Sequence, residues 1–321
     1  MAEALLNVRD LKTYFHKKDL EIRAVDGVDL TVFPRQIVCI VGESGSGKSI
    51  TALSIMRLLP KPHGKIVGGE IEFEGNNLLK LTEGQMTDIR GNNISMIFQE
   101  PMTALNPVVT VGKQLTEVLL RHRKLSKHES EAKAVEMLKF VSVPRADEII
   151  HEYVHQLSGG LRQRVMIAMA MLCEPKLLIA DEPTTALDVT IQAQVLELMK
   201  KMRQDFNTAI ILITHDLGVV AEMADHVLVM YAGQIVESVD ADTLFHQPLH
   251  PYTMALLDSI PSLDDEKETL YSISGTVPNA ATFPPGCRFA ERCQRATRDC
   301  SENIIELNEI KPGHLVRCQK A

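Results

Sequence analysis

No apolar run in this 321-residue sequence approaches the ~18 residues that a membrane-spanning helix requires. The opening Met1-Ala2-Glu3-Ala4-Leu5-Leu6 does not form a secretory signal, so the chain is expected in the cytosol or held at a membrane by partners. Positive charge is in deficit too: 34 Lys and Arg stand against 42 Asp and Glu, a net charge of −8. That balance argues against nucleic-acid binding driven by bulk electrostatics, although a local basic patch would escape it. The sequence also lacks internal repeats and low-complexity tracts. Six cysteines in a cytosolic chain of this length do not read as a disulfide framework, yet four of them crowd into residues 287–321. What is present, 45% hydrophobic and 24% charged residues, suits a soluble globular protein with an α/β core and an appendage.

Gln36-Ile37-Val38-Cys39-Ile40-Val41 predicts a buried strand, and the helical spacing of Ile50–Leu59 predicts a helix stopped by Pro60. Residues 68–75 alternate like a surface strand. Ser126 and Glu129 form a capping box that opens a helix ending before Pro144. Leu177–Ala180 and Ala209–Ile213 read as two further buried strands, with a long helix starting near Val189 between them; His226–Met230 and Gln234–Glu237 read as a hairpin around Gly233. Strands alternating with helices predict a mostly parallel sheet covered on both faces. The mostly helical stretch from about 100 to 165 interrupts that alternation and predicts an inserted lobe.

Three motifs carry chemistry. Gly42-Glu43-Ser44-Gly45-Ser46-Gly47-Lys48-Ser49 lies between a predicted strand and a predicted helix, where its N–H groups can curl around β- and γ-phosphates. Lys48 adds positive charge at those oxygens and the Ser49 hydroxyl can ligate Mg²⁺. Asp181 and Glu182 end the strand of Leu177–Ala180; Asp181 is suited to the Mg²⁺ shell and Glu182 to polarising a water for attack on the γ-phosphate. In Leu157-Ser158-Gly159-Gly160-Leu161, Ser158 is a favourable N-cap, and the glycines leave the first helical turn open to a phosphate.

Residues 5–260 thereby resemble the nucleotide-binding subunits of ABC transporters. The resemblance implies an α/β phosphate-loop ATPase with a mixed, largely parallel core sheet, an antiparallel β subdomain, an inserted helical subdomain and a small loop-rich C-terminal extension. It implies a nucleotide-binding domain over 1–260, with its helical part at about 100–165, and an extension over 261–321. It also assigns roles: Gln99 as the Q-loop glutamine and a Mg²⁺ contact, Thr185-Ala186-Leu187-Asp188 as the D-loop, His215 as the switch histidine, and Ile50 beside the nucleotide. An aromatic residue near the N terminus stacks on adenine in this family; Tyr14 and Phe15 both qualify, and counting from Asp10-Leu11-Lys12 favours Phe15. The closed site takes two protomers, with the Leu157–Leu161 turn of one facing the phosphate loop of the other.

Gln99–Pro107 and His250-Pro251-Tyr252-Thr253 resemble the dipeptide, oligopeptide and nickel import ATPases in particular. That resemblance implies ATP hydrolysis driving solute import from the cytoplasmic side of the cell membrane. The implied partners are a second ATPase chain (identical or a paralogue), two permease subunits that the Glu100–Pro107 segment would begin to contact, and, indirectly, an extracytoplasmic peptide-binding protein. Nickel and glutathione remain alternative solutes, and a redox-regulated soluble ATPase is the alternative outside transport. In the extension, Cys287, Cys293, Cys300 and Cys318 are spaced C-x₅-C-x₆-C-x₁₇-C. The first gap is wider than in a zinc hairpin, whereas a [4Fe–4S] cluster tolerates such spacing; cluster, zinc and free thiols all stay open. Arg288, Arg292, Arg295 and Arg298 are expected either to offset the charge of such a centre or to form a solvated face. Tyr153-Val154-His155 departs from the Tyr-Pro that this branch often carries before the signature turn. Cys39 and Cys173 read as inert core residues.

Overall fold

The computed structural model of the protein describes residues 3–17, 20–100, 104–185, 187–259 and 273–321. In chain order the strands are β1 (Leu6–Lys17), β2 (Leu20–Val32), β3 (Ile37–Val41), β4 (Gly64–Phe73), β5 (Asn76–Asn77), β6 (Ile94–Ile97), β7 (Leu177–Asp181), β8 (Ala209–Ile213), β9 (His226–Tyr231), β10 (Gln234–Asp240), β11 (Asn308–Lys311) and β12 (His314–Val316). Two compact units divide them: Met1–Val32, Ile37–Leu79 and Ile213–Ala321 form one, Phe33–Gln36 and Lys80–Leu212 the other.

The first unit contains the antiparallel sheet β2-β1-β4-β5. Its buried face follows the pleat, but the parity changes along β1, from Leu6 and Val8 to Leu11 and Thr13. A register shift between Val8 and Leu11 explains the change, with Asp10 turned into the left-handed region at φ 46°. β4 starts at Gly64, four residues earlier than the alternation suggests, because β1 continues and pairs Phe15 with Gly64. The same unit holds the run β11-β12-β10-β9-β3. β9 pairs parallel to β3, while β9–β10 and β10–β12 are antiparallel, so the arrangement is mixed. All five residues of β3 are buried, as a strand covered on both faces requires.

One expectation needs correction in this unit. The helix after the phosphate loop is Lys48–Ile55, ending four residues before Leu59. Pro60 is not its terminator: Arg57 adopts φ 52° and the Leu58 N–H reaches back to the Leu53 carbonyl at 2.8 Å, closing the helix with a left-handed residue. The described part of the C-terminal extension is loop-rich, as expected, and it also carries a small hairpin that joins the sheet. β11 and β12 form a hairpin, and β12 adds to β10 with Glu237 opposite Val316 and Ser238 opposite Leu315. Burial of His314 and Val316 accounts for the attachment.

In the second unit, β6 and β7 are parallel, Ile94 opposite Leu177 through Ile97 opposite Ala180, and β8 lies beside β7. β7 and β8 are buried throughout. Helices span Val111–His122, Lys127–Phe140, Gly159–Met171 and Val189–Phe206. The capping box forms as expected, with Ser126 Oγ accepting the Glu129 N–H at 3.3 Å and Glu129 Oε2 accepting the Ser126 N–H at 2.7 Å.

Candidate functional site

In the first unit, β3 ends at Val41 and the chain turns through Gly42–Gly47 into the helix Lys48–Ile55. Gly42 (φ 149°) and Gly47 (φ 105°) are dictated by both conformation and space: a Cβ would stand 2.0 Å from the Met230 carbonyl oxygen and 2.4 Å from that of Ala24. Lys48 is buried, and its Nζ donates to the carbonyl oxygens of Gly42 at 2.8 Å and Glu43 at 3.0 Å. The helix has no acidic residue in its first turn, a charge pattern that suits an anion at its N-terminus. Ser44 and Gly45 are exposed, Ser46 is buried, and Ser49 and Ile50 are half-buried. His215 is exposed at the end of β8; the turn is tied to β3 by the Thr214 N–H on the Ile40 carbonyl at 3.3 Å, and Asp216 caps the next helix.

Tyr14 and Phe15 occupy opposite faces of β1. The Tyr14 hydroxyl donates to Asp26 Oδ1 at 2.6 Å, and the Arg23 guanidinium lies 5.7 Å from its ring centroid. Burial, then the Asp26 carboxylate, push the Tyr14 phenol up to about 12. Burial disfavours the Asp26 charge, but hydrogen bonds from Tyr14 and Arg288 outweigh it and hold the carboxyl below its ordinary value. Phe15 lies beside Gly64, where a Cβ would come within 2.9 Å of its ring.

The second unit gathers the acidic and signature residues. Asp181 is buried at the end of β7. Glu182 follows in the left-handed region at φ 47°, and its Oε2 accepts from Gln99 Nε2 at 3.1 Å and Thr185 Oγ1 at 2.9 Å. Thr185 and Leu187 belong to the same turn; Ala186 lies outside the described residues, as do Pro101, Met102 and Thr103 of the expected coupling segment. Asp188 caps the helix Val189–Phe206, accepting the Ile191 N–H at 2.9 Å. Leu157 is buried, and Ser158 caps the helix Gly159–Met171 by accepting the Leu161 N–H at 3.4 Å. Gly160 lies against Ile191, whereas nothing lies within 4 Å of a Cβ built on Gly159. That first turn carries no acidic residue.

Cys287, Cys293, Cys300 and Cys318 line one cavity, with Phe289, Ile305, Arg295 and Lys320 also in its wall. Burial pushes the Cys287 thiol up to about 11, while the hydrogen bond from Thr297 draws Cys300 below its ordinary value. None of the four is in a disulfide, and among the described residues no three His, Cys, Asp or Glu side chains form a group that could hold a metal ion. The arginines divide differently from either expectation. Arg295 lines the cavity and Arg298 pairs with Glu302 on the surface, but Arg288 and Arg292 are buried on Asp26 and Glu43. Cys39 and Cys173 are buried, and burial raises both thiols.

Residues 25–185 match the family described as "ABC transporter", and residues 236–300 match "Oligopeptide/dipeptide transporter, C-terminal region". The chain belongs to the ABC transporter family. Among relatives, it is 58% identical to the oligopeptide transport ATP-binding protein AppD of Bacillus subtilis, covering 98% of this chain and 96% of that protein. It is 50% identical to OppD of Escherichia coli over 99% of this chain and 94% of the relative. Against DppD, the dipeptide transport ATP-binding protein of B. subtilis, it is 49% identical over 98% and 92%. A solved dimeric ATP-binding cassette, bound to ADP and phosphate after hydrolysis, aligns with a TM-score of 0.67 at 26% identity, over 74% of this chain and 98% of that one.

Within this ABC cassette, two polar anchors escaped the sequence reading. Gln163 is buried on the signature helix and donates to the Pro183 carbonyl at 2.6 Å, joining that helix to the turn carrying Glu182. Its only sequence signal is its place in Ser158-Gly-Gly-Leu-Arg-Gln163, one turn beyond the cap. Arg292 grips Glu43 of the phosphate loop, and no local pattern announces a partner 249 residues away.

Proposed function

We propose that this chain is the ATP-hydrolysing subunit of an importer for dipeptides and oligopeptides, one of two cassettes on the cytoplasmic side of two permease subunits fed by an extracytoplasmic binding protein. The observation that carries this reading is 58% identity to an oligopeptide transport ATP-binding protein across 98% of the chain. No helix among the described residues is long and apolar enough to cross a membrane, which suits a peripheral subunit. The working division is a nucleotide-binding domain over 1–260, with its helical part at about 100–165, and an extension over 261–321.

The loop Gly42–Ser49 takes the β- and γ-phosphates on its N–H groups, and Lys48 exchanges the Gly42 and Glu43 carbonyls for phosphate oxygen. Ser49, Asp181 and Gln99 would hold Mg²⁺, which would neutralise phosphate charge when bound. Glu182 accepts the proton of the attacking water, and Gln99, already hydrogen-bonded to it, orients that water. His215 contacts the γ-phosphate, and Ile50 lines the site beside Ser49. Leu157–Leu161 binds the nucleotide of the opposite cassette, with the Thr185–Asp188 turn beside it. Phe15 stacks on adenine, because the Tyr14 hydroxyl is engaged by Asp26.

We propose a [4Fe–4S] cluster for the extension because its four thiols line one partly apolar cavity with two basic side chains in its wall, although they do not converge as a metal-ligand group in this structure. Such a centre, when bound, would cross-link Cys287, Cys293, Cys300 and Cys318. Anaerobically purified protein should absorb near roughly 400 nm and lose that band in Cys293→Ser; colourless protein with bound zinc would assign the other occupant. The transport reading is tested by uptake of a labelled dipeptide into vesicles holding the assembled importer, with Ni²⁺ measured in parallel. ATP-dependent peptide uptake is expected, and nickel uptake without it would reassign the solute.

A further inference from the structure

Glu43 occupies a position that the phosphate-loop pattern leaves unspecified, yet it is held at both its backbone and its side chain. Its N–H donates to the Tyr252 hydroxyl at 2.9 Å. Its carboxylate receives the Arg292 fork, Nη1 on Oε2 at 2.7 Å and Nη2 on Oε1 at 3.0 Å. Arg292 belongs to the C-terminal extension, and its side chain is only 6% exposed. The extension also aims the guanidinium: Nε donates to the Ser274 carbonyl at 2.8 Å and Nη2 to that of Ile273 at 3.3 Å. Nη1 reaches the Tyr231 hydroxyl at 3.2 Å. Behind the pair, Phe289 of the extension closes an aromatic cluster with Tyr231 and Tyr252, ring centroids 5.3 and 5.4 Å away.

A two-pronged arginine–carboxylate pair fixes direction as well as distance, and a guanidinium with its other donors engaged loses little further freedom in making it. The phosphate loop must present successive N–H groups in one geometry to bind phosphate, so whatever fixes its first residues lowers the ordering cost of binding. We propose that Arg292 is a positioning residue for ATP binding: through Glu43 it holds the phosphate loop in its phosphate-ready shape, which makes the C-terminal extension a determinant of nucleotide affinity. Sequence order adds to the coupling. Cys287 precedes Arg288, and Cys293 follows Arg292, so each clamp residue is one peptide bond from a thiol of the extension's cavity.

This inference rests on ATP binding at Gly42–Ser49, and the test separates the two. In the full-length protein, a fluorescent ATP analogue should bind wild type and fail to bind Lys48→Ala; absence of binding to wild type would remove the underlying reading and this inference with it. Arg292→Ala should bind the analogue ~10-fold more weakly, the scale of one charge-assisted pair, and should raise the KM for ATP while kcat at saturation changes little. Arg292→Lys, which keeps charge but not the fork, should recover part of that loss. Should Arg292→Ala fail to fold, Glu43→Gln reads the same contact from the loop side, and Arg292→Lys with Glu43→Gln should be no worse than the weaker-binding single variant. Unchanged affinity in a folded Arg292→Ala or Glu43→Gln protein, or additive losses in the double variant, would overturn the proposal.

Discussion

Glu182, the proposed general base, has an unusual backbone. A residue with a Cβ in the left-handed region costs about 1 kcal/mol, and such conformations persist where surrounding contacts over-determine them. Here the hydrogen bonds from Gln99 and Thr185 meet on its Oε2 and fix the side chain. Glu182→Gln should therefore keep ATP binding while hydrolysis falls by at least ~10²-fold, the usual loss when a general base is removed; phosphate release under saturating ATP checks this, and near-normal turnover would reassign the base. A second residue governs stability. Burial holds the His226 imidazole below its ordinary value of 6.5, with Asp240 opposing, and its Nε2 lies 2.9 Å from Ser238 Oγ. Between the depressed folded value and the ordinary one, the unfolded chain binds a proton that the folded chain excludes. The stabilisation is therefore complete above about pH 7 and is lost as pH falls through that window, by at most ~1.4 kcal/mol per pH unit. Melting temperatures between about pH 7.5 and 5.5 should fall less steeply in His226→Gln than in wild type; parallel slopes would exclude His226 as the source.

At the scale of elements, the two turns proposed to take phosphate share a design: a capped or glycine-opened helix N-terminus free of acids. Both are legible in the sequence because their chemistry is local. Gly42, Gly47 and Ser158 announce the backbone geometry through residue type alone. The end of the first of these helices is not legible, because a left-handed Arg57 looks in sequence like any helix-forming arginine. The C-terminal hairpin is the larger lesson. Val316 and His314 alternate with Leu315 too briefly to signal a strand, and only β10 supplies their partner. That attachment rests on a buried hydrogen bond: His314 Nε2 lies 2.7 Å from Glu237 Oε1, and Glu237 also accepts from the Leu249 and His250 N–H groups. Removing the imidazole leaves a buried carboxylate short of a partner. His314→Ala should destabilise the protein by roughly 2–4 kcal/mol, measured by urea denaturation; a change under about 0.5 kcal/mol would mean the hairpin adds nothing to the fold.

For the whole molecule, the phosphate loop and the Leu157–Leu161 turn fall in different compact units, each built from its own discontinuous stretches of chain. If each turn serves a nucleotide shared with a second cassette, activity must depend on association. Per-subunit hydrolysis should rise across about a tenfold increase in protein concentration. ATP should also shift Glu182→Gln from monomer to dimer mass in light scattering, and a concentration-independent rate from a monomer would refute the shared site. The sequence by itself determined the nucleotide chemistry, because phosphate loop, acidic strand end and signature turn are contiguous runs whose residue types carry their own backbone geometry. Only the tertiary structure decided what the last residues do. It set β12 against β10 and turned Arg288 and Arg292 toward Asp26 and Glu43. The two arginine pairs join residues 262 and 249 positions apart, so their energies depend on a packing that no local pattern encodes.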